Sequence, residues 1–114
     1  MSQVPISVGL LLDLGHLNIS SNILKFDRNK FIEKFLTKYG DRLYQIHISE
    51  NNGLKDEHRA LEKNSWQFDI LKEIRQIKIP VGDNSIEKIY CLESRNAEKK
   101  QIISNLNQIN EIIA

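Results

Sequence analysis

Three apolar, β-prone stretches alternate with three amphipathic stretches, and this alternation constrains the fold more than any other feature of the chain. The strand candidates are Ile6–Asp13, Leu43–Ile48 and Ile86–Leu92. With the helical spacing that follows each one, they divide residues 1–114 into strand-helix units at about 6–39, 43–76 and 86–114. Such units join parallel strands through right-handed crossovers. We therefore expect one α/β domain with a parallel sheet.

The helices are predicted from apolar spacing and from their ends. Between Arg28 and Tyr39, four apolar residues fall on one helical face, and Gly40 follows as a stop signal. Ser65 is placed to cap a second helix beginning at Trp66, and a third helix follows Asn96. The polar stretch 18–22 predicts a loop, and residues 80–84 predict a turn.

Composition limits the classes of function. Sixteen Lys and Arg against fifteen Asp and Glu give a net charge of +1, so no globally basic surface indicates nucleic-acid binding. The single cysteine, Cys91, cannot form an internal disulfide, and no apolar run approaches the roughly 20 residues that span a bilayer. We expect a cytoplasmic protein with no membrane partner.

Acidic and imidazole side chains close each of the three strand candidates or lie in the loop just after one. The set comprises Asp13, His16, His47, Asp56, His58 and Glu93. Carboxylate oxygen with imidazole nitrogen suits divalent ions such as Zn²⁺ and Mn²⁺, with Mg²⁺ and Co²⁺ as further candidates. Since the carboxyl ends of parallel strands lie at one edge of a sheet, we predict that all six are metal ligands of one centre.

An open doubly wound sheet and a closed barrel both satisfy the alternation. Side chains that project from the carboxyl ends of several strands favour the barrel. A glycine-rich phosphate loop is absent from the sequence, which disfavours a nucleotide-binding fold.

Three motifs resemble those of the xylose-isomerase-like barrels, the superfamily that includes sugar phosphate isomerases and epimerases and the endonuclease-IV-like AP endonucleases of family 2. The stretch from Leu12 to Asn18 resembles a D-x-x-H strand end, residues 47–58 resemble H-x-x-D-N-D-G-x-x-D-x-H, and residues 91–94 resemble the last-strand glutamate. Glu50 and Asn52 replace two aspartates of the second motif. The resemblance implies the last three βα units of a (β/α)8 TIM barrel.

The resemblance also implies roles. In a sugar or sugar-phosphate isomerase or epimerase, Asp13, His47 and Glu93 bind one Mn²⁺-like ion, His16 holds a substrate hydroxyl, and Glu93 is also an acid/base carboxylate. His16 and Glu93 are then the catalytic residues. The missing strands, or a partner chain, complete the active site.

Two alternatives stay open. An endonuclease-IV-like apurinic/apyrimidinic DNA endonuclease would use all six residues in a multi-zinc site, and DNA is a partner only in that case. A truncated barrel remnant would have no catalytic activity. Because three strands leave unpaired edges, we expect a homo-oligomer or a complementary chain in any of these cases.

Two arginines follow the predicted ligands in sequence. Arg95 comes two residues after Glu93, and an ion pair at the rim is favoured over a phosphate contact. Arg59 follows His58 and is either a phosphate contact or a solvated surface residue.

Overall fold

The computed structural model describes residues 9–114, so the part of the predicted first strand that precedes Gly9 lies outside the described residues. The elements follow in the order β1 (Leu10–Asp13), α1 (Leu14–Leu24), α2 (Arg28–Tyr39), β2 (Leu43–Ile48), α3 (Trp66–Ile74), β3 (Ile79–Val81), β4 (Asn84–Ile86), β5 (Ile89–Leu92) and α4 (Lys99–Ile113). No helix in this part of the chain is long and apolar enough to cross a membrane.

The main sheet contains β1, β2 and β5 in that order, and all three strands are parallel. Side chains alternate between the two faces of a strand. One face, here called the covered face, carries Leu12, Ile46, Ile48, Tyr90 and Leu92. The opposite face, here called the open face, carries Leu11, Asp13, Gln45, His47, Ile89 and Cys91.

The helices pack on the covered face. Leu12, Ile46 and Ile48 are buried there in one apolar cluster with side chains from all four helices. The helices contribute Leu14, Leu17, Ile32, Phe35, Leu36, Phe68, Ile70, Leu71, Ile74, Ile109 and Ile112. On the open face, Leu11 is 49% exposed and Ile89 is 60% exposed. In the described part of the chain, the apolar core therefore lies on one side of the sheet.

Several local predictions are confirmed. The second strand, the helix at Arg28–Tyr39 and the helix at Trp66 form where the sequence places them. The side chain of Ser65 accepts a hydrogen bond from the backbone N–H of Gln67, which is the expected N-cap contact.

Two local predictions are wrong. The stretch predicted as a polar loop belongs to α1, because Asp13 caps the helix and Leu14, Leu17 and Ser21 bury one side of it. The third strand begins at Ile89 and not at Ile86, since Gly82 at a φ of 61° turns the chain so that β3 and β4 pair antiparallel.

The predicted (β/α)8 TIM-barrel segment is also wrong. The described residues form an open three-stranded sheet with β1 and β5 as its two edges, and a separate antiparallel pair interrupts the strand-helix alternation. Two consecutive helices, and not one, follow β1. The architecture is a layer of four helices on one face of a small parallel sheet, with the hairpin beside it.

Candidate metal centre

The carboxyl ends of the three parallel strands place the predicted ligands on one edge of the sheet. Asp13 ends β1 and pairs in register with His47 of β2. Glu93 follows β5 directly, and its backbone N–H donates to the carbonyl of Ile48 at 2.8 Å, which extends the pairing of β2 and β5 by one step. The pairing of the parallel strands is therefore sufficient to position Asp13, His47 and Glu93, without contacts from the loops.

These three side chains converge. The Nδ1 atom of His47 lies 3.0 Å from Oε1 of Glu93 and 3.9 Å from Oδ2 of Asp13. One ligand atom from each residue lies within 4.8 Å of the other two, and among residues 9–114 no other trio of His, Cys, Asp or Glu does so. The side chains are 18%, 22% and 32% exposed for Asp13, His47 and Glu93, so the cluster is open to solvent on one side.

The other three predicted ligands form a chain of contacts beside this cluster. Nδ1 of His16 lies 3.1 Å from Asp13, and its Nε2 lies 2.9 Å from Oδ2 of Asp56. The same Asp56 oxygen lies 3.0 Å from Nε2 of His58. The structure thus brings all six predicted residues into one connected group, although His16, Asp56 and His58 do not converge on one point.

The contact between His16 and Asp56 shifts both titrations. The hydrogen bond to Asp56 raises the pKa of His16, against the opposing effect of burial, and the charge of Asp13 raises it further. Burial acts to raise the pKa of Asp56, but the hydrogen bonds and charges of His16 and His58 together outweigh it and lower the pKa. In the metal-free chain these shifts favour an ionised Asp56 and keep His16 protonated to a higher pH than a free imidazole.

The hydrogen-bond partners of His58 fix the role of its Nδ1 and give its Nε2 two competing partners. The backbone carbonyl of Glu93 can only accept, so Nδ1 of His58, at 2.9 Å, donates to it. A guanidinium can only donate, so Nε2 of His58 accepts from Arg95 at 2.8 Å. Oδ2 of Asp56 lies 3.0 Å from the same nitrogen, and an ionised carboxylate can only accept, so Nε2 bonds either to Arg95 as an acceptor or to Asp56 as a donor, but not to both at once.

A contact that sequence reasoning missed ties the start of the loop that carries Asp56 and His58 to the first turn of α1. The buried side chain of Asn51 donates to the carbonyl of Gly15 at 2.9 Å and accepts from the N–H of Gly53 at the same distance. A Cβ on Gly15 would lie 2.6 Å from Oγ of Ser49, so the first turn of α1 approaches the end of β2 closely. The only sequence signal was the position of Asn51 inside the H-x-x-D-N-like motif.

The donor set at Asp13, His47 and Glu93 fits a divalent cation. Two carboxylates and one imidazole supply three protein ligands, which is the number typical of a catalytic site with an open position. Nδ1 of His47 faces both carboxylates, and it must give up its proton to bind an ion. Nε2 of His47 is buried and has no hydrogen-bond partner in the described part of the chain, although ligating histidines usually donate through this second nitrogen.

Two proteins of Methanocaldococcus jannaschii are similar to the chain. It is 36% identical over 91 residues to Uncharacterized protein MJ1614, covering 75% of this chain and 36% of that protein. It is 29% identical over 111 residues to Uncharacterized protein MJ1311, covering 95% of this chain and 34% of that protein. The chain therefore spans about a third of the length of these curated relatives.

No family model matches the chain, and no solved structure matches it. No known (β/α)8 structure therefore supports the barrel segment expected from the motifs, and the observed arrangement of strands stands in its place.

Proposed function

We propose that this chain carries the metal centre of a divalent-metal-dependent isomerase or epimerase acting on a sugar or sugar phosphate. Asp13, His47 and Glu93 are the ligands of one ion in this proposal. The observation that carries it is the convergence of their ligand atoms to within 4.8 Å of one another at the ends of three parallel strands. Mn²⁺ and Zn²⁺ suit the donor set best, with Mg²⁺ and Co²⁺ as further candidates.

The roles of the side chains follow from their exposure and contacts. A bound divalent ion polarises the carbonyl and hydroxyl oxygens of a substrate. Glu93 is partly exposed, and its carboxylate takes and returns a proton at the carbon next to the carbonyl. His16 is 58% exposed, and its imidazole orients a substrate hydroxyl once one of its nitrogens leaves Asp13 or Asp56, which both nitrogens contact in the absence of substrate.

The site is completed by a further polypeptide layer. Leu11 and Ile89 are exposed on the same face of the sheet that carries Asp13 and His47, and within residues 9–114 no strand pairs with either edge of that sheet. A second copy of the chain, or a complementary chain, covers this face and closes the site to water. The free thiol of Cys91 fits the reducing environment of the cytoplasm.

Metal binding is tested with Asp13→Asn, because asparagine caps a helix as well as aspartate does and so preserves the start of α1. We expect one ion per wild-type chain by elemental analysis and calorimetry, and roughly a hundredfold weaker binding in the variant. Asp69→Asn is the matched control, since its carboxylate is 78% exposed on α3. Equal affinity in Asp13→Asn and wild type would contradict the assigned ligands.

The reaction is tested separately from metal binding. The Mn²⁺-loaded chain is incubated in D₂O with a panel of ketoses and ketose phosphates, and exchange of a carbon-bound hydrogen is followed by proton NMR. We expect exchange that is lost in Glu93→Gln. If the chain bound one ion but exchanged no carbon-bound hydrogen of any ketose in the panel, the metal site would stand and the isomerase function would be excluded.

A second candidate is a metal-dependent endonuclease at abasic sites in DNA. The observation favouring it is the position of one Asp56 oxygen, 2.9 Å from His16 and 3.0 Å from His58, because two imidazoles and a carboxylate form a further potential set of ligands. Arg95 would have to leave Nε2 of His58 for that set to bind an ion. Three zinc ions per chain and cleavage of an abasic duplex would support this candidate, and a single ion would exclude it.

A further inference from the structure

Arg95 is the one cation bonded directly to the six-residue group in residues 9–114, and it has no acidic partner there. Its guanidinium donates to Nε2 of His58 at 2.8 Å. In the described part of the chain no carboxylate lies within 4.0 Å of it, so the ion pair favoured by the sequence does not form. The exposed side chain therefore keeps most of its donors free beside a cluster of three carboxylates.

Arg59, near the same site, forms the ion pair with a carboxylate that Arg95 lacks. It lies one residue after His58, and its Nε forms an ion pair with Glu57 at 3.1 Å. Arg95 could have been neutralised in the same way by Asp56, which lies 3.0 Å from the same imidazole nitrogen. Instead, His58 separates the guanidinium from that carboxylate.

Hydrogen bonds fix the position of the Arg95 backbone. Its N–H donates to the carbonyl of Glu93 at 3.0 Å, and that carbonyl also accepts from Nδ1 of His58. The side chain of Asn96 donates to the carbonyl of Glu57 at 2.8 Å, which fastens the segment after β5 to the loop after β2. The guanidinium is thus presented from an anchored turn at the rim of the candidate metal centre.

We propose that Arg95 binds the phosphate group of the ligand that occupies this centre. The planar guanidinium fork matches the geometry of phosphate oxygens, and its positive charge offsets the repulsion that the three carboxylates exert on an anion. The proposal rests on the proposed function for the position of the ligand, and it selects sugar phosphates over neutral sugars as the substrate class.

The test measures binding of inorganic phosphate by calorimetry, with the full chain in its metal-free form and after loading with Mn²⁺ and removal of the free ion. We expect Arg95→Met to weaken phosphate binding by roughly tenfold or more, since the variant loses the charge-assisted hydrogen bonds between the guanidinium and the phosphate. Arg95→Lys keeps the charge without the fork and should give an intermediate loss. Arg59→Met is the matched control and should leave phosphate affinity unchanged.

A purely structural role of Arg95 is separated by Arg95→Gln, which keeps a donor to His58 without the charge. If phosphate contact is the role, Arg95→Gln and Arg95→Met lose phosphate affinity alike while thermal unfolding stays near that of wild type. Equal phosphate affinity in wild type and Arg95→Met, or no phosphate binding by the wild type in either form, would overturn the proposal. Failure to bind Mn²⁺ would instead count against the proposed function, and the metal-free titration would still decide the role of Arg95.

Discussion

The two faces of the three-stranded sheet differ in how far their side chains are buried and in whether they carry carboxylate and imidazole groups. The covered face buries Leu12, Ile46 and Ile48 against four helices. The open face carries Asp13 and His47 at its carboxyl end and exposes Leu11 and Ile89 below them. Alternate residues of the same short strands thus serve stability on one side and chemistry on the other.

This division indicates how so small a sheet can hold polar groups in fixed positions. The backbone of each strand is anchored by apolar burial on one side, and the side chains on the other side inherit that rigidity. The cost is an apolar row on the open face that the described residues leave uncovered.

The largest effect should come from Ile46→Ala on the covered face. Ile46 is fully buried, so removing its side chain should lower the free energy of unfolding by about 2–5 kcal/mol. Ile103→Ala is the control, because Ile103 is 49% exposed on α4. Chemical denaturation measures both, and similar losses would show that the covered face is not the main source of stability.

A smaller decrease in the free energy of unfolding is expected for Asn51→Ala at the carboxyl edge of the sheet. The variant leaves the carbonyl of Gly15 and the N–H of Gly53 without their partner, which should cost about 1–3 kcal/mol. The loop with Asp56 and His58 should also loosen, and the NMR signals of His16 should report it. An unchanged His16 environment would show that Asn51 does not hold this loop.

A pH-dependent effect, smaller again, is expected from His16 in the metal-free chain. Its pKa is raised above 6.5, so its contribution to stability is complete below that pH and is lost as the pH rises through the folded-state pKa. The pKa of Asp56 is lowered below 3.8, so its contribution is lost only in stronger acid.

Unfolding free energies of wild type and His16→Asn, measured in EDTA, should therefore differ more at pH 6 than at pH 9. A difference that grows toward pH 9 would contradict the assigned protonation.

The smallest effect on stability should come from Leu11→Ser and Ile89→Ser on the open face. Both side chains are exposed, so each change should alter the free energy of unfolding by less than about 0.5 kcal/mol. Light scattering should show weaker self-association in these variants, with Leu54→Ser, 64% exposed in the loop after β2, as the control. A wild-type chain that is a well-folded monomer would contradict a second copy as the cover of this face.

The sequence predicts the elements with strong local signals. Apolar spacing and Ser65 locate α2 and α3, and a β-prone run locates β2. It fails at α1, where asparagine and serine suggest a loop but Asp13 caps a helix that tertiary packing completes. It fails again at Ile86, because the apolar residues at 86 and 89 do not reveal that Ile86 pairs with Ile79 of β3 across the turn at Gly82.

The sequence predicts the part of the site that parallel strand ends bring together. Asp13, His47 and Glu93 are strand-end residues, and alternation with helices already placed those ends together. The contacts of Arg95 with His58 and of Asn51 with Gly15 depend on loop conformations, for which the sequence offers no periodic signal. Whether the six residues bind metal stays a prediction.

The register of β2 makes the chain intolerant of one kind of change. Deleting a single residue before Ile46 would exchange the two faces of the strand, so that an imidazole would point into the apolar cluster and isoleucines into solvent. Such a deletion would remove the candidate centre and the core together. An insertion in the long loop after Asn51 would leave the two faces of β2 as they are. We therefore expect insertions and deletions among relatives of this chain in the loops and not within the strands.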